Sequence, residues 1–302
     1  MDPLYRPYNL RTPNTMYQNS LRKILKRGIL AKNPFQTKGR LTVLTLAPMV
    51  FKLSNGFPIL TERKIGFWKK PIGELLGFIH GVRNANDLAE KWGANWWREQ
   101  WATPEKCADF GLDPYDLGPG SYGGALEYAL PDGTVYNQFK EVLQQIKEKP
   151  DVITHKITTW IPHYCIGHTG RQRKVVVAPC HGDVEITVMG RNLTLRMDQR
   201  SADFPIGVPS NIIQYAALTI MIAHVLEYVP YMYVHSTHNS QIYEDQVEES
   251  RIMVARKPRP FPSLYLTAEG REITNLFDFR PNHFELLDYD PHPAITGIPA
   301  TT

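Results

Sequence analysis

The 302-residue sequence is poor in cysteine, in charge imbalance and in unbroken apolar runs, and each shortage removes a class of protein. Three cysteines, Cys107, Cys165 and Cys180, are too few and odd in number for a disulfide framework, so free thiols in a reducing compartment are expected. The net charge is only +4, with basic residues scattered outside short clusters at Arg22 to Arg27, Lys69-Lys70, Arg171 to Lys174 and Arg256 to Arg259. That is too weak for a nucleic-acid footprint and ample for one phosphate. The longest apolar stretch, Ile212 to Leu226, is interrupted by Gln214, Thr219 and His224, so a buried helix is expected there and no membrane span. Met1 to Ile29 lacks the charged-then-apolar pattern and cleavage site of an exported chain; the cytoplasm, or a host's cytoplasm for a viral protein, is the expected setting. There is no internal repeat, low-complexity tract or separating linker.

What is present suits one large folded body: 42% of residues are hydrophobic and 11% aromatic, enough to bury a substantial core. An irregular arm at 1–14, with Pro3, Pro7 and Pro13, precedes a helix over 15–27. A strand pair is expected over 41–53, followed by the turn Ser54-Asn55-Gly56, then helices over 70–79 and 138–149. The segment 84–101 holds four of the six tryptophans, Trp92, Trp96, Trp97 and Trp101, and a Gly/Pro-rich loop follows from Gly111 to Gly124. Alternation of apolar and polar residues across Gly190-Arg191 predicts a β-hairpin, with a long apolar helix from Asn211 directly after. The pattern is that of a single α+β domain, 15–302, with a mostly antiparallel sheet packed by helices.

Cys180, in Ala178-Pro179-Cys180-His181, is the first candidate for chemistry. A cysteine nucleophile acts as the thiolate, and a nearby cation such as Arg200 favours that form. A lone cysteine is otherwise a small buried hydrophobe, and Cys165, His168, Cys180 and His181 lack the usual paired spacing of zinc ligands. No metal site is expected. A cysteine hydrolase using His181 is disfavoured, since neighbours on a strand face opposite ways.

The surrounding segments decide between these readings. Gln199-Arg200-Ser201-Ala202-Asp203, Gly207-Val208-Pro209-Ser210-Asn211 and Gln241-Ile242-Tyr243, taken with Ala178 to His181, resemble in order and spacing the central motifs of the thymidylate synthase and pyrimidine nucleotide hydroxymethylase superfamily. The resemblance extends through Asn55 to Leu60, Glu74-Leu75-Leu76 with Gly81, the tryptophan segment, Gly118-Pro119 with Tyr122-Gly123, Arg256 to Pro260 and Tyr289 to Pro293, covering about residues 15 to 298.

This resemblance implies folate-dependent transfer of a one-carbon unit to C5 of a pyrimidine nucleoside 5′-monophosphate. The donor would be 5,10-methylenetetrahydrofolate, with no metal, in a homodimer. Cys180 would add to C6; Arg200 and Ser201 would hold the phosphate, with Gln199 beside them; Gln241 and Tyr243 would meet the sugar. Asn211 would read the base edge, offering a donor and an acceptor suited to uracil, although it could equally cap the following helix. Glu74 would manage protons with Tyr122 across the ring. Asp203 would orient the pterin, its alternative being a turn or helix cap, and Trp96 or Trp97, Gly207 and Ser210 would line the folate side, with packing as the alternative for the rings.

Departures from the pattern bear on specificity. The family's N-terminal phosphate loop is replaced by Gln36-Thr37-Lys38-Gly39-Arg40, leaving Arg40 or Lys38 to supply charge, and the arginine pair lent across the dimer is replaced by His155-Lys156, with Lys156 the candidate phosphate ligand. The sugar-binding histidine is Gln241, an aromatic before Asn211 is Ser210, and the tail Ile298-Pro299-Ala300-Thr301-Thr302 lacks the usual apolar residues. Together these favour water over hydride as the final nucleophile, hence hydroxymethylation, with uracil preferred and cytosine open. Reductive methylation of dUMP, and a silent nucleotide sensor keeping the fold, are the rival readings.

Overall fold

The computed structural model describes residues 4–32 and 38–300; Pro3 of the expected arm and Gln36, Thr37, Thr301 and Thr302 of the motifs above lie outside them. The chain forms one α+β unit around an eight-stranded sheet. The helices that matter to the site are α1 (Met16–Arg27), α2 (Lys69–Ile79), α3 (Ala85–Trp92), α4 (Gln138–Glu148), α5 (Gly207–Val225) and α6 (Val247–Ala255). The sheet strands are β1 (Ile29–Ala31), β2 (Arg40–Thr45), β3 (Met49–Lys52), β4 (Lys156–Ile157), β5 (Asp183–Met189), β6 (Asn192–Gln199), β7 (Ala202–Asp203) and β8 (Val229–Tyr243).

The sheet runs β1-β2-β8-β6-β5-β4, with β3 and β7 also on β8. All its pairings are antiparallel except those of β8 with β6 and β7. The parallel pair follows from α5: a helix that returns the chain across the sheet makes the next strand run the same way. Alternation in β5, with Val184, Ile186 and Val188 buried and Glu185, Thr187 and Met189 exposed, fixes the hairpin register. The expected strand pair over 41–53 is corrected. β2 and β3 do not pair with each other; both lie antiparallel to β8, Arg40 opposite Tyr243 and Met49 opposite His235. They form one edge broken at Leu46-Ala47-Pro48, where proline has no N–H to give a ladder.

The long apolar helix starts at Gly207, four residues before Asn211, and is buried from Asn211 to Ala223 without a break. Asn211 therefore sits inside the helix and does not cap it. The helix meets the length and composition of a membrane span, but its apolar surface is spent on the sheet and on α2. α2 packs against α3 through glycine: a Cβ on Gly73 would lie 2.1 Å from the Trp92 carbonyl oxygen. The segment 4–15 before α1 is tied to the body by Tyr5, whose hydroxyl donates to the Leu264 carbonyl, and by Arg11, which donates to Phe261 O and Ser263 Oγ.

Candidate active site

Cys180 lies on an irregular bend between the loop at 166–179 and β5, and the run 175–182 is not the strand its apolar residues suggest. The bend is pinned by backbone: the Cys180 carbonyl accepts from Arg200 N at 2.7 Å and Ser201 N at 3.3 Å, and its own N–H donates to Tyr122 Oη at 2.9 Å. This brings the end of β6 and the short helix Tyr122–Leu126 onto the cysteine. The side chain is partly exposed and opens, with Trp160, Arg200, Asp183, Asp198 and His238, on a cavity of about 300 Å³.

Arg200 lies over the Trp160 ring, 5.1 Å from its centroid, and its guanidinium reaches the Pro179 and Ala178 carbonyls and Cys180 Sγ, the last at 3.8 Å. Its charge pulls the thiol pKa down, as does hydrogen bonding from Tyr122 and Ser201, but burial outweighs them and leaves the thiol above its ordinary value. The resting cysteine is thus a protonated thiol near neutral pH. His181 turns the other way, into the core, where it pairs with Tyr215 Oη at 2.8 Å and stacks on Tyr122. Burial lowers its pKa to about 3, so it is a neutral packing residue. Among the described residues no three His, Cys, Asp or Glu side chains gather as a metal site.

Glu74 is only 6% exposed on α2, more deeply buried than its apolar neighbours Leu75, Leu76, Phe78 and Ile79 suggest by sequence. Its Oε1 accepts both indole N–H groups, Trp96 and Trp97, each at 2.5 Å, and its Oε2 accepts Gln214 Nε2 at 2.6 Å. Both tryptophans therefore serve the same carboxylate. Desolvation raises the Glu74 pKa to about 7 against the lowering effect of these three donors. Tyr122 is buried between Phe78 and His181, and burial holds its hydroxyl well above the ordinary phenol value.

Next to Arg200, at the end of β6 that meets the cysteine, Gln199 is buried with its Oε1 on His235 Nε2 and its Nε2 on the Ser201 carbonyl. Gln241 donates to Ser201 Oγ at 3.4 Å and to Tyr243 Oη at 3.3 Å, while its Oε1 is buried without a partner. Thr42, opposite Gln241 in the ladder, has its Oγ1 in the same condition. Arg40 on β2 lies opposite Tyr243 on β8, so Arg40, Gln241, Tyr243 and Ser201 share one corner. Asp203, on β7 beside Gln241, accepts from Ile206 N and Gln246 Nε2, the former a cap-like bond at the entry to α5. Burial raises its pKa to about 7. Gly207 opens α5 and Ser210 lies half-buried on its first turn.

Two further charges are held in ion pairs. Lys156, on edge strand β4, is ion-paired with Glu185 at 3.2 Å and lines a separate cavity of about 610 Å³ with Tyr128, Tyr136 and Tyr164. Lys38 is paired with Asp245. The adjacent His155 is buried on Gln145. Sequence reasoning missed Gln214, Trp160 and Gln246. Gln214 was visible as a polar break in the apolar helix three residues after Asn211; Trp160 and Gln246 carried no local signal, because their partners are distant in sequence.

A thiol beside a guanidinium, with the Asp203 carboxyl acting on it and the Glu74 carboxyl acting on the neighbouring Tyr122, both with pKa raised to about 7, is equipped for covalent addition with proton transfer. A family model described as thymidylate synthase matches residues 15–301. The chain belongs to the thymidylate synthase family, and with it to the one-carbon transferases that act on pyrimidine nucleotides using methylenetetrahydrofolate as donor.

Proposed function

We propose that this enzyme adds a hydroxymethyl group to C5 of a uracil nucleoside 5′-monophosphate. The supporting observation is the pair of carboxyls, Glu74 and Asp203, each with its pKa pushed up to about 7. Such groups exchange protons readily at neutral pH, and Asp203, which is partly exposed, can activate water. Methylenetetrahydrofolate supplies a carbon at the oxidation level of formaldehyde, and water or hydride as the last nucleophile gives hydroxymethyl or methyl.

In this reading Cys180 Sγ, after losing its proton, bonds to C6 and makes C5 the nucleophile; C5 bonds to the one-carbon unit and gives up its own proton, and Sγ leaves again when the C5 product is complete. Arg200 and Ser201 bind the phosphate, and Arg40 adds charge from β2. Gln199 stiffens the Ser201 turn through its hydrogen bond to that carbonyl. Gln241 and Tyr243 hold the sugar hydroxyl, Asn211 reads the base, and Tyr122 keeps the thiol on the correct side of the ring. On the folate side, the Trp96 N–H is turned inward to Glu74, which leaves its ring face for a flat pterin beside Asp203, Gly207 and Ser210. Asp203 offers acceptor oxygens to a cyclic N–H and amino edge, so these residues fit the folate.

Lys156 can act only in a homodimer, where a second copy would present it to the phosphate. The free thiols suit a cytoplasmic setting, of the cell or of a virus's host. Reductive methylation of dUMP is the second reading, favoured by the dry wall that Glu74, Trp97 and Tyr122 form. Incubation with dUMP, dCMP, UMP and CMP in turn, each with methylenetetrahydrofolate, and mass analysis of the product will decide. Gain of CH2O on a uracil nucleotide is expected; gain of CH2 alone establishes methylation. With a 5-tritiated nucleotide and folate, no tritium release would make the protein a nucleotide sensor.

A further inference from the structure

Gln214 is an amide with no exposed surface in an apolar helix, and burying an amide is costly unless its groups are paired. Its Nε2 donates to the Pro71 carbonyl at 3.1 Å and to Glu74 Oε2 at 2.6 Å. A backbone carbonyl can only accept, so Pro71 fixes which end of the amide is nitrogen. Gln214 Oε1 must then face the other way, where it receives Asn211 Nδ2 at 2.9 Å. That bond fixes Asn211 in turn. Its nitrogen lies on the Gln214 and Glu74 side; its Oδ1 lies on the Gly207 side, 3.8 Å from the place of a Cβ on Gly207.

We propose that Gln214 is a positioning residue that makes the site read uracil. Resting on the assignment of Asn211 to the base edge and Glu74 to the C4–C5 side of the ring, the fixed amide presents N–H toward the C4 oxygen and Oδ1 toward N3–H. Cytosine shows the reverse pattern, an amino group at C4 and a bare nitrogen at N3, and needs Asn211 turned over. Turning it sets Oδ1 against Gln214 Oε1, two acceptors facing each other in a dry interior. The polarity set by one backbone carbonyl on α2 is thereby transmitted through two amides to the choice of base.

The test is equilibrium binding of UMP, dUMP, CMP and dCMP without folate, read by tryptophan fluorescence, on the wild type, Gln214→Met and Gln214→Glu. The wild type should hold uracil nucleotides about tenfold more tightly than their cytosine counterparts, equivalent to about 1.4 kcal/mol. Gln214→Met keeps the side-chain length, removes the acceptor, and should bring the ratio close to one, chiefly by tighter cytosine binding. Gln214→Glu keeps an oxygen before Asn211 and should keep the preference even where overall stability falls. A merely structural role would weaken both nucleotide classes alike and leave the ratio unchanged in Gln214→Met, which overturns the proposal. Loss of preference in Gln214→Glu, or equal or cytosine-favouring affinities in the wild type, also overturns it. A wild type that binds none of the four nucleotides instead overturns the function on which it rests.

Discussion

Replacing Glu74 by glutamine should remove a specific part of the protein's dependence of stability on pH. Glu74 is nearly inaccessible, and desolvation raises its pKa from 4.5 to about 7 in the folded chain. The folded state therefore holds the proton more tightly than the unfolded state. Between pH 4.5 and about 7 the unfolded chain has lost this proton and the folded chain keeps it, so stability falls as pH rises through that window. At 1.36 kcal/mol per pH unit, the difference corresponds to about 3 kcal/mol. Below 4.5 both states are protonated and above 7 both are ionised, so the effect is confined to the interval. Glu74→Gln keeps an oxygen for the two indole N–H groups but sets an amide nitrogen against Gln214 Nε2, which Pro71 prevents from turning. A pH-independent loss of about 1 to 3 kcal/mol is expected from that conflict. Denaturant unfolding at pH 4.5, 6 and 7.5 on both proteins isolates the carboxyl, because Asp203 and every other titrating group are common to the pair. The wild type should lose about 3 kcal/mol more than the variant across the range. Parallel stability curves would refute the argument that burial governs Glu74.

Alkylation of Cys180 by iodoacetamide, followed by mass spectrometry, should still be accelerating at pH 9, since burial holds the thiol above its ordinary value; a plateau by pH 8 contradicts this. Arg200→Ala should slow alkylation at pH 8 about tenfold by removing the charge that favours the thiolate. Cys180→Ser should abolish turnover while nucleotide binding persists, and full activity in that variant would remove the covalent step. Gly73→Ala places a Cβ 2.1 Å from the Trp92 carbonyl and should cost about 2 kcal/mol or more by forcing α2 from α3; an unchanged melting temperature would show that the contact yields freely. His235→Phe should destabilise the fold by about 1 to 3 kcal/mol, because Gln199 Oε1 loses its donor in the core, again checked by denaturant unfolding.

The sequence by itself determined the hairpin β5–β6, helices α1, α2 and α4 to within a residue or two, and the family, because periodic burial and motif spacing are local properties. It also singled out Cys180, Arg200, Glu74, Asp203, Asn211 and Tyr243, residues whose types suit the chemistry wherever they lie. Only the tertiary structure decided that β2 and β3 follow one another along β8, since strand pairing depends on distant register and not on neighbouring residues. It also decided the electrostatics. The Arg200 charge, which by sequence should activate Cys180, is outweighed by burial, and Glu74 is gripped by two tryptophans more than 20 positions away. Gln214 marks the boundary most clearly: its place in an apolar helix was legible, but its orientation is set by the Pro71 carbonyl, 143 positions earlier. Hydrogen-bond polarity is a property of who faces whom in the folded chain, and no linear spacing encodes it.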